Sequence, residues 1–297
     1  MDINGSNLKS IFTATLTTFN KQFEATPTDY QKIAMTVKST TAANEYPRLD
    51  DLPGMREWLG DRAVNSLSAS TYTIKNRKFE NTIGLSRDNI EDDQLGFFST
   101  AVAQLAQDAA SFPDQLIFPL FKNGDKTLCC DGQNFFDTDH PGYGENGQEA
   151  SVSNFAAGSQ PSWYLIDDTK VIKPMIYQER KPFKLVSKDS EEDDNVFMKS
   201  EYLYGVDGRC NAGFGLWQLA YKSNEALTPE AYAKARTAMT TIRKRNGQVI
   251  NIRPTKLLVP PQLEGAARKL LNAELIDSGN SNIWRGSAEI VVIPLLG

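Results

Sequence analysis

Residues 88–113, DNIEDDQLGFFSTAVAQLAQDAASFP, carry the strongest helical pattern in the chain. Asp88 is a suitable N-cap residue, and Glu91 follows three positions later, as in a capping box. Apolar residues then recur at alternating steps of three and four and so lie on one helical face: Leu95, Phe98, Val102, Leu105, Ala109 and Phe112. Pro113 is expected to end or kink the helix. Because each residue adds ~1.5 Å, positions 89–112 predict a single-faced helix about 36 Å long.

Residues 68–86, directly before this helix, show the alternation of a β-hairpin. Tyr72 and Ile74 alternate on one side of the predicted turn, and four residues alternate on the other: Phe79, Asn81, Ile83 and Leu85. The turn is basic and holds Lys75, Arg77 and Lys78. A two-stranded ribbon is only marginally stable alone, so we expect this one to lie against another surface.

The first 29 residues are rich in Thr, Ser, Asn and Gln. Their apolar residues have a roughly helical spacing: Leu8, Ile11, Phe12, Leu16, Phe19 and Phe23. The threonine-rich run at 13–18 weakens helix propensity. The pattern predicts an N-terminal arm that a partner surface brings into order, with Phe12 and Phe19 as candidate contacts.

The chain becomes polar between residues 122 and 161, where loops and turns are expected. Strands are predicted between 162 and 222. Val196–Tyr204 and Phe214–Tyr221 alternate on either side of a predicted turn at Gly205–Gly208. Val171–Val186 contains two prolines and therefore suits an edge strand or a bent strand.

The last third of the chain alternates between helix and strand patterns. A helix begins at Thr228 with Pro229 in its first position, and Asn246–Gly247 closes it after the basic residues 243–245. A strand at Lys256–Val259 leads into a second helix, and Ile290–Ile293 forms a final buried strand. The predicted class is α+β.

Composition excludes several classes of protein. The 297 residues include 32 basic and 37 acidic side chains, for a net charge of −5, and 40% are hydrophobic. This composition is that of a folded domain rather than a disordered chain. No apolar run reaches the length of a membrane span, and no secretory signal is visible. The acidity argues against binding nucleic acid through a broadly basic surface.

Residues that could carry chemistry are few. His140, the only histidine, lies in an Asp-rich segment near Asp131, so a loop metal site at 131–141 competes with a simple turn in which Asp side chains bond the backbone. A nucleophilic pair of Cys130 with His140 is conceivable, but nothing supplies an oxyanion hole. The three cysteines, Cys129, Cys130 and Cys210, are expected to be reduced thiols. We therefore expect no catalytic residue, no cofactor and no metal.

Several long blocks of sequence, in the same order, carry a family likeness. They are residues 30–35, 57–62, 79–88, 91–93, 130–137, 140–141, 195–198, 215–220 and 254–272. Through them the chain resembles the Mu-like phage major head subunit family, a branch of the tailed-phage major capsid fold that encapsulins and herpesvirus shells share. The likeness extends nearly from end to end.

The resemblance implies an organisation into named parts. It comprises an N-terminal arm (1–29), a linker (30–57), an extended β-hairpin loop (58–88), the spine helix of a peripheral domain (89–121), a polar loop region (122–161), a β-rich segment of the peripheral domain (162–224) and an α/β axial domain (225–297). The extended loop would overlie a neighbouring subunit. Candidate contacts between subunits are Phe12, Phe19, Lys75, Arg77 and Lys78.

The resemblance also implies a function and partners. Subunits would form pentamers and hexamers of an icosahedral virion shell that encloses double-stranded DNA without reading its sequence. Assembly would take place in the bacterial cytoplasm with a scaffold protein, a portal and a decoration protein, and no membrane. The chain enters the arm without a long charged leader, so the scaffold is expected to be a separate protein. Two alternatives are an encapsulin-like nanocompartment shell and, more remotely, a metal-dependent hydrolase built on the 131–141 loop.

Overall fold

The computed structural model describes residues 5–47, 71–92, 95–275 and 279–297. The helices are α1 (Gly5–Ala25), α2 (Arg87–Glu91), α3 (Leu95–Lys122), α4 (Asp194–Lys199), α5 (Pro229–Thr240) and α6 (Glu264–Leu271). The strands are β1 (Ala34–Lys38), β2 (Ala43–Pro47), β3 (Thr71–Lys75), β4 (Arg77–Ser86), β5 (His140–Tyr143), β6 (Glu149–Val152), β7 (Phe155–Ala156), β8 (Trp163–Ile166), β9 (Met175–Lys188), β10 (Glu201–Phe214), β11 (Ala220–Ser223), β12 (Lys256–Val259) and β13 (Glu289–Val292). The predicted mixture of helix and sheet is confirmed.

Two long strands, β9 and β10, form the centre of a four-stranded sheet with the order β1-β9-β10-β4. Their pairing is antiparallel, with an irregularity around Asp207 and Arg209. The predicted turn at Gly205–Gly208 is wrong, because β10 runs straight through both glycines. Gly208 is needed for packing, since a Cβ there would lie 2.7 Å from the ring of Phe183. Residues 196–199 belong to α4 rather than to a strand.

The long helix α3 lies across this sheet. Phe98 packs on Tyr204, and Phe112 lies between Phe79 and Phe183, with ring centroids 4.5–5.6 Å apart. The predicted apolar face of the helix is confirmed where side chains are described. The helix does not end at Pro113, which lies inside it. The helix continues to Lys122 because the next turns bury three apolar side chains, Ile117, Phe118 and Phe121. Burial of this size outweighs the single backbone hydrogen bond that a proline removes.

The N-terminal end of the long helix also differs from the prediction. A separate short helix, α2, precedes α3, and the cap of α2 is Ser86 rather than Asp88. The Ser86 hydroxyl accepts a hydrogen bond from the Asn89 amide at 3.3 Å. Asp88 lies inside the first turn of α2, where its negative charge still favours the helix dipole.

The N-terminal segment is a 21-residue helix, α1, that packs along α3. Leu8, Ile11 and Phe19 are buried in one cluster with Val102 and Leu105 of α3. The threonines are accommodated because their hydroxyls donate to carbonyls one turn back, as Thr13 does to Lys9 at 2.8 Å. The surface that orders this segment is therefore the chain's own long helix, contrary to the expectation of a partner.

The predicted hairpin between the 72–74 and 79–85 segments is wrong. β3 pairs with β2, whereas β4 pairs over its whole length with β10. Asn76, between the two strands, donates its amide to the Ala42 carbonyl at 2.9 Å. Lys75, Arg77 and Lys78 therefore lie at a junction between two sheets and not at a loop tip. Residues 58–70 of the expected extended loop lie outside the described residues.

A second, five-stranded sheet has the order β13-β12-β8-β11-β7. Its strands β8 and β11 come from the 162–224 segment, which is thus shared between two sheets rather than belonging to one. α5 and α6 flank this sheet. Thr228 caps α5 as predicted, accepting a hydrogen bond from the Ala231 amide at 3.2 Å.

The helix α5 ends earlier than predicted, at Thr240. The backbone of Arg243 instead forms isolated antiparallel β-bridges with Tyr143 and Val249. Gly247 adopts a positive φ of 79° in the turn that follows, so the Asn246–Gly247 signal marks a turn beyond the helix. No helix in the described part of the chain is both long and apolar enough to cross a bilayer.

Candidate assembly surfaces

Large apolar side chains protrude from the end of the four-stranded sheet. Phe197 and Met198 on α4 are 84% and 75% exposed, while their neighbour Val196 is buried and anchors the helix. Phe97, at the start of α3, is 84% exposed. Exposed apolar groups of this size gain free energy when a partner covers them. Sequence reasoning did not single them out, because helical periodicity identifies the buried face and not an apolar outer one.

A groove runs between α3 and the outer strand β4. Its lining includes Ile83 from the strand and Phe97, Ala101 and Leu105 from the helix. Among the described strands, β4 pairs only with β10, so its outer edge is open. An open strand edge beside an apolar groove can accept another chain through backbone hydrogen bonds and side-chain packing.

The ribbon formed by β2 and β3 is fastened firmly at its base. Tyr46 donates its hydroxyl to Gln178 Oε1 at 2.8 Å, and Gln178 Nε2 donates to the Ile74 carbonyl at 3.0 Å. Asn211 Nδ2 donates to the Lys75 carbonyl at 2.7 Å. These contacts hold the ribbon to β9 and β10, so it leaves the sheet in a fixed direction.

One of the predicted basic residues, Lys78, belongs to a cationic row across the four-stranded sheet. Lys75, Arg77 and Lys78 are exposed, and none forms an ion pair with another residue in the described ranges. Lys78 lies opposite Arg209, which in turn lies opposite Lys181. Residues directly opposite on neighbouring strands share a face, so three cations follow one another across the sheet. Within the described ranges, Lys181 is the one of these three that has an acidic partner, Asp207.

The two candidate aromatic contacts of the N-terminal helix have different environments. Phe19 is 2% exposed and stacks on Phe23, with ring centroids 5.7 Å apart. Phe12 is half-buried at the margin of the same cluster and lines a shallow groove with acidic residues 189–192. Phe19 could touch a neighbour only if α1 left α3, whereas Phe12 is already accessible.

The only histidine is fully buried, in contact with Asp131 and Trp217. His140 Nδ1 lies 2.7 Å from Asp131 Oδ2, and the Cys129 thiol lies 3.1 Å from Asp131 Oδ1. The imidazole stacks on the Trp217 ring at 3.9 Å. The cysteine of this cluster is Cys129, whereas the pair considered from the sequence was Cys130 with His140. Sequence reasoning missed Cys129 because the order of residues does not show which of two adjacent side chains turns inward.

The protonation of this cluster follows from its hydrogen bonds. Burial would raise the pKa of Asp131, but hydrogen bonds from His140 and Cys129 outweigh it and lower the pKa below its ordinary value. The pKa of the Cys129 thiol is raised, first by its hydrogen bond with the Cys130 thiol and then by burial and the Asp131 charge. A thiol held protonated in this way is a poor nucleophile.

The turn interpretation of the Asp-rich segment is confirmed for Asp137. Its carboxylate accepts hydrogen bonds from the backbone amides of Thr138 at 2.7 Å and Asn134 at 3.2 Å. Hydrogen bonds of this kind fix the chain direction in short polar turns. Asp137 is thus engaged with the backbone and is separate from the Cys129, Asp131 and His140 cluster.

Comparison with known proteins gives a consistent result. The family model described as "Mu-like prophage major head subunit gpT" matches residues 8–296. The chain is 38% identical to the major capsid protein of Escherichia phage Mu over 305 residues, covering all of both chains. It is 41% identical to the Mu-like prophage FluMu major head subunit of Haemophilus influenzae over 275 residues, covering 90% of this chain and 89% of that one.

Solved structures give the same picture of the fold. The chain superposes on a subunit from the procapsid of bacteriophage JBD30 with a TM-score of 0.89 and 37% identity, covering 99% of this chain and all of that one. The match to the JBD30 capsid has a TM-score of 0.79 and 27% identity, with 91% of each chain covered. The TM-score is thus higher for the procapsid subunit than for the capsid subunit.

Proposed function

The chain belongs to the Mu-like prophage major head subunit gpT family, and from this membership we propose in detail how its copies build a shell. Members of this family are structural capsid proteins, so the chain is a major capsid protein of the Mu-like type and not an enzyme. The hydrolase alternative for the 131–141 loop is thereby wrong. The observation that carries the function is the family match over residues 8–296, together with the close superposition on a procapsid subunit.

We propose that the subunits form pentamers and hexamers that close into an icosahedral shell. In this assembly the four-stranded sheet with α3 is the peripheral domain, and the five-stranded sheet with α5 and α6 is the axial domain. The β2–β3 ribbon is the root of the extended loop, and α1 is the N-terminal arm. The surfaces that would be covered by neighbours are the exposed apolar group at Phe97, Phe197 and Met198, and the open edge of β4.

The electrostatics support contact between unlike surfaces of neighbouring copies. The cationic row at Lys78, Arg209 and Lys181 has few acidic partners within the described chain, whereas the loop before α4 is acidic at residues 189–194. Each exposed ion pair contributes roughly 0–1 kcal/mol. A shell repeats each contact in every subunit, so small contributions add.

We further propose partners and a location for this shell. The shell encloses double-stranded DNA without sequence-specific contacts, which suits a subunit whose net charge is −5. It assembles in the host bacterial cytoplasm with a separate scaffold protein and a portal, and becomes part of the virion. One relative is described as a JBD30 capsid decorated with minor capsid protein trimers, and we propose a decoration protein here as well.

Electron microscopy of the purified protein tests the proposal. The chain is expressed alone and with its scaffold, and the particles are examined in negative stain and by sedimentation. Closed shells or capsomer-sized rings are expected. Sedimentation as a monomer over a broad range of salt and protein concentration, with scaffold present, would contradict the proposal.

A further inference from the structure

We propose that Cys129, Asp131 and His140 supply three of the ligands of a zinc site with a structural role. This role is distinct from shell assembly and does not depend on it. No metal site is predicted from the sequence, because the order of residues does not show that Cys129 lies near His140. The structure brings a sulfur, a carboxylate oxygen and an imidazole nitrogen to within 4.8 Å of one another.

The spacing of the three donor atoms is close to that of a zinc site. Zinc binds sulfur at about 2.3 Å and nitrogen or oxygen at about 2.0–2.2 Å, so tetrahedral ligand atoms lie about 3.3–3.6 Å apart. In the structure, Asp131 Oδ2 and His140 Nδ1 are 2.7 Å apart, and Asp131 Oδ1 and the Cys129 sulfur are 3.1 Å apart. The sulfur and an imidazole nitrogen are within 4.8 Å of each other, so the side chains would close on one ion by exchanging two hydrogen bonds for three metal bonds.

The chemistry of the donors favours zinc over other common cations. Thiolate and imidazole are ligands of zinc, whereas calcium and magnesium prefer sites built wholly of oxygen. The cluster is also electrically suitable. A thiolate and a carboxylate carry two negative charges, which a divalent cation neutralises in a place where unpaired charge is costly.

The ligands are buried and preorganised, as a structural site requires. The side chains of Asp131 and His140 are fully buried, and Cys129 is 6% exposed. Asp131 is oriented by the Gln133 amide, which donates to Oδ1 at 3.1 Å. The turn itself is closed by the Cys129 amide, which donates to the Gln133 carbonyl at 2.8 Å. Gly132 has a φ of 87°, which permits this tight reversal.

The surroundings of His140 complete the site. Metal on Nδ1 places the imidazole proton on Nε2, which has no hydrogen-bond partner among the described residues. The ring borders a cavity of about 540 Å³ whose lining includes Gln218 and Arg243. Trp217 covers one face of the ring and keeps the imidazole from turning away.

The competing interpretation is a metal-free chain of hydrogen bonds from Cys129 through Asp131 to His140. Both interpretations explain the burial, and they differ in whether the protein takes up zinc through the sulfur. The full-length protein is purified in a thiol reductant, treated with a chelator, desalted and loaded with zinc. Bound metal is then measured by mass spectrometry and the affinity by competition with a chromophoric chelator. Cobalt is used in parallel, because a cysteine ligand gives a thiolate-to-cobalt absorption band.

The expected result is one zinc per chain, a cobalt–thiolate band and a higher melting temperature with zinc. Cys129→Ser should weaken zinc binding on the order of 100-fold, since even residues that only support metal ligands contribute 10–100-fold. Cys210→Ser is the matched control, because Cys210 is equally buried in β10 but outside the cluster, and it should bind as the parent does. Equal zinc binding by Cys129→Ser and the parent would overturn the proposal. If Cys129→Ser does not fold, the absence of a cobalt–thiolate band in the parent protein would overturn it equally.

Discussion

The imidazole of His140 lies flat on the indole of Trp217, with ring centroids 3.9 Å apart and an angle of 5° between the ring planes. The other contact of the imidazole is with Asp131, which belongs to the turn at 129–133. Through these two contacts, the only histidine fastens the polar segment 122–161 to the chain just before β11. We therefore propose a structural role for His140, which agrees with the turn-like surroundings seen in the sequence.

Replacing His140 should therefore destabilise the subunit. His140→Ala leaves the buried Asp131 carboxylate without its closest partner, and we expect the free energy of unfolding to fall by about 2–4 kcal/mol. Urea denaturation of the dissociated subunit, in a buffer that contains chelator, measures this change. Trp217→Phe is the matched control, because an aromatic ring remains beneath the imidazole, and it should lose much less. Unchanged stability of His140→Ala would refute the structural role.

The stability of the subunit should fall in acid partly because of Asp131. The pKa of this carboxyl is lower in the folded subunit than its ordinary value of 3.8. The carboxylate therefore stabilises the fold above the ordinary pKa, and this contribution is lost as the pH falls through the folded-state pKa. Asp131→Asn should be less stable than the parent at neutral pH, and its stability should decline less steeply below pH 4. Parallel stability curves for the two proteins between pH 6 and 2.5, measured by chemical denaturation, would contradict this.

The three exposed basic residues between β3 and β4 should act in assembly and not in folding. Changing Lys75, Arg77 and Lys78 together to Gln removes three exposed charges, so the unfolding transition should remain within about 0.5 kcal/mol of the parent. Assembly followed by light scattering should weaken, most at low salt, where charge attraction is least screened. The charge-retaining control exchanges Lys for Arg and Arg for Lys at the same positions. Equal assembly of the neutral and charge-retaining proteins at low salt would exclude an electrostatic role.

The exposed apolar pair on α4 should be needed for contact between subunits. Phe197→Ser with Met198→Ser removes apolar surface that is already in water, so the isolated subunit should fold normally while assembly decreases. Val196→Ser, in the same helix, is the contrasting variant, because Val196 is buried. It should lower the free energy of unfolding by about 1–3 kcal/mol. Normal shells from the double variant, seen by electron microscopy, would show that no neighbour covers this pair.

Two of the three phenylalanines of α1, Phe19 and Phe12, should contribute unequally to the stability of the subunit. Phe19→Ala empties a buried position against α3 and should lower the free energy of unfolding by about 3 kcal/mol. Phe12→Ala should cost less than half of that, because Phe12 is only half-buried. The comparison is made by urea denaturation of the two single variants. Equal, small losses for both would mean that α1 is not packed on α3 in solution.

Local patterns in the sequence predicted several elements well. The buried face of α3, the cap of α5 at Thr228 and the strand β12 all depend on residues near one another in the chain, and each is confirmed. The family likeness, carried by blocks spread over the chain, correctly identified the capsid fold. Periodicity and family blocks were both informative because neither requires knowing which distant segments touch.

The errors share one physical cause, which is that strand pairing is non-local. Residues 72–74 and 79–85 alternate as a hairpin does, but β4 gains more by pairing over ten residues with β10 than by folding back on five. Gly205 and Gly208 read as a turn, yet their missing side chains make room for neighbouring residues within β10. The sequence did not show that Cys129 lies with Asp131 and His140 for a related reason, because this depends on how the turn at 129–133 packs against the segment that contains His140.

The interleaving of the two sheets has a consequence for how the protein emerges from the ribosome. The four-stranded sheet uses β1, β4, β9 and β10. The five-stranded sheet uses β7 and β8, which lie between β4 and β9 in the chain, and β11, β12 and β13, which follow β10. Neither sheet can close until synthesis has passed Phe214 in one case and Val292 in the other. Long-range pairing of this kind folds slowly and leaves strand edges open in the meantime. The nascent subunit should therefore need protection from aggregation until nearly all of these strands have been made, and neither sheet should survive if expressed as a separate fragment.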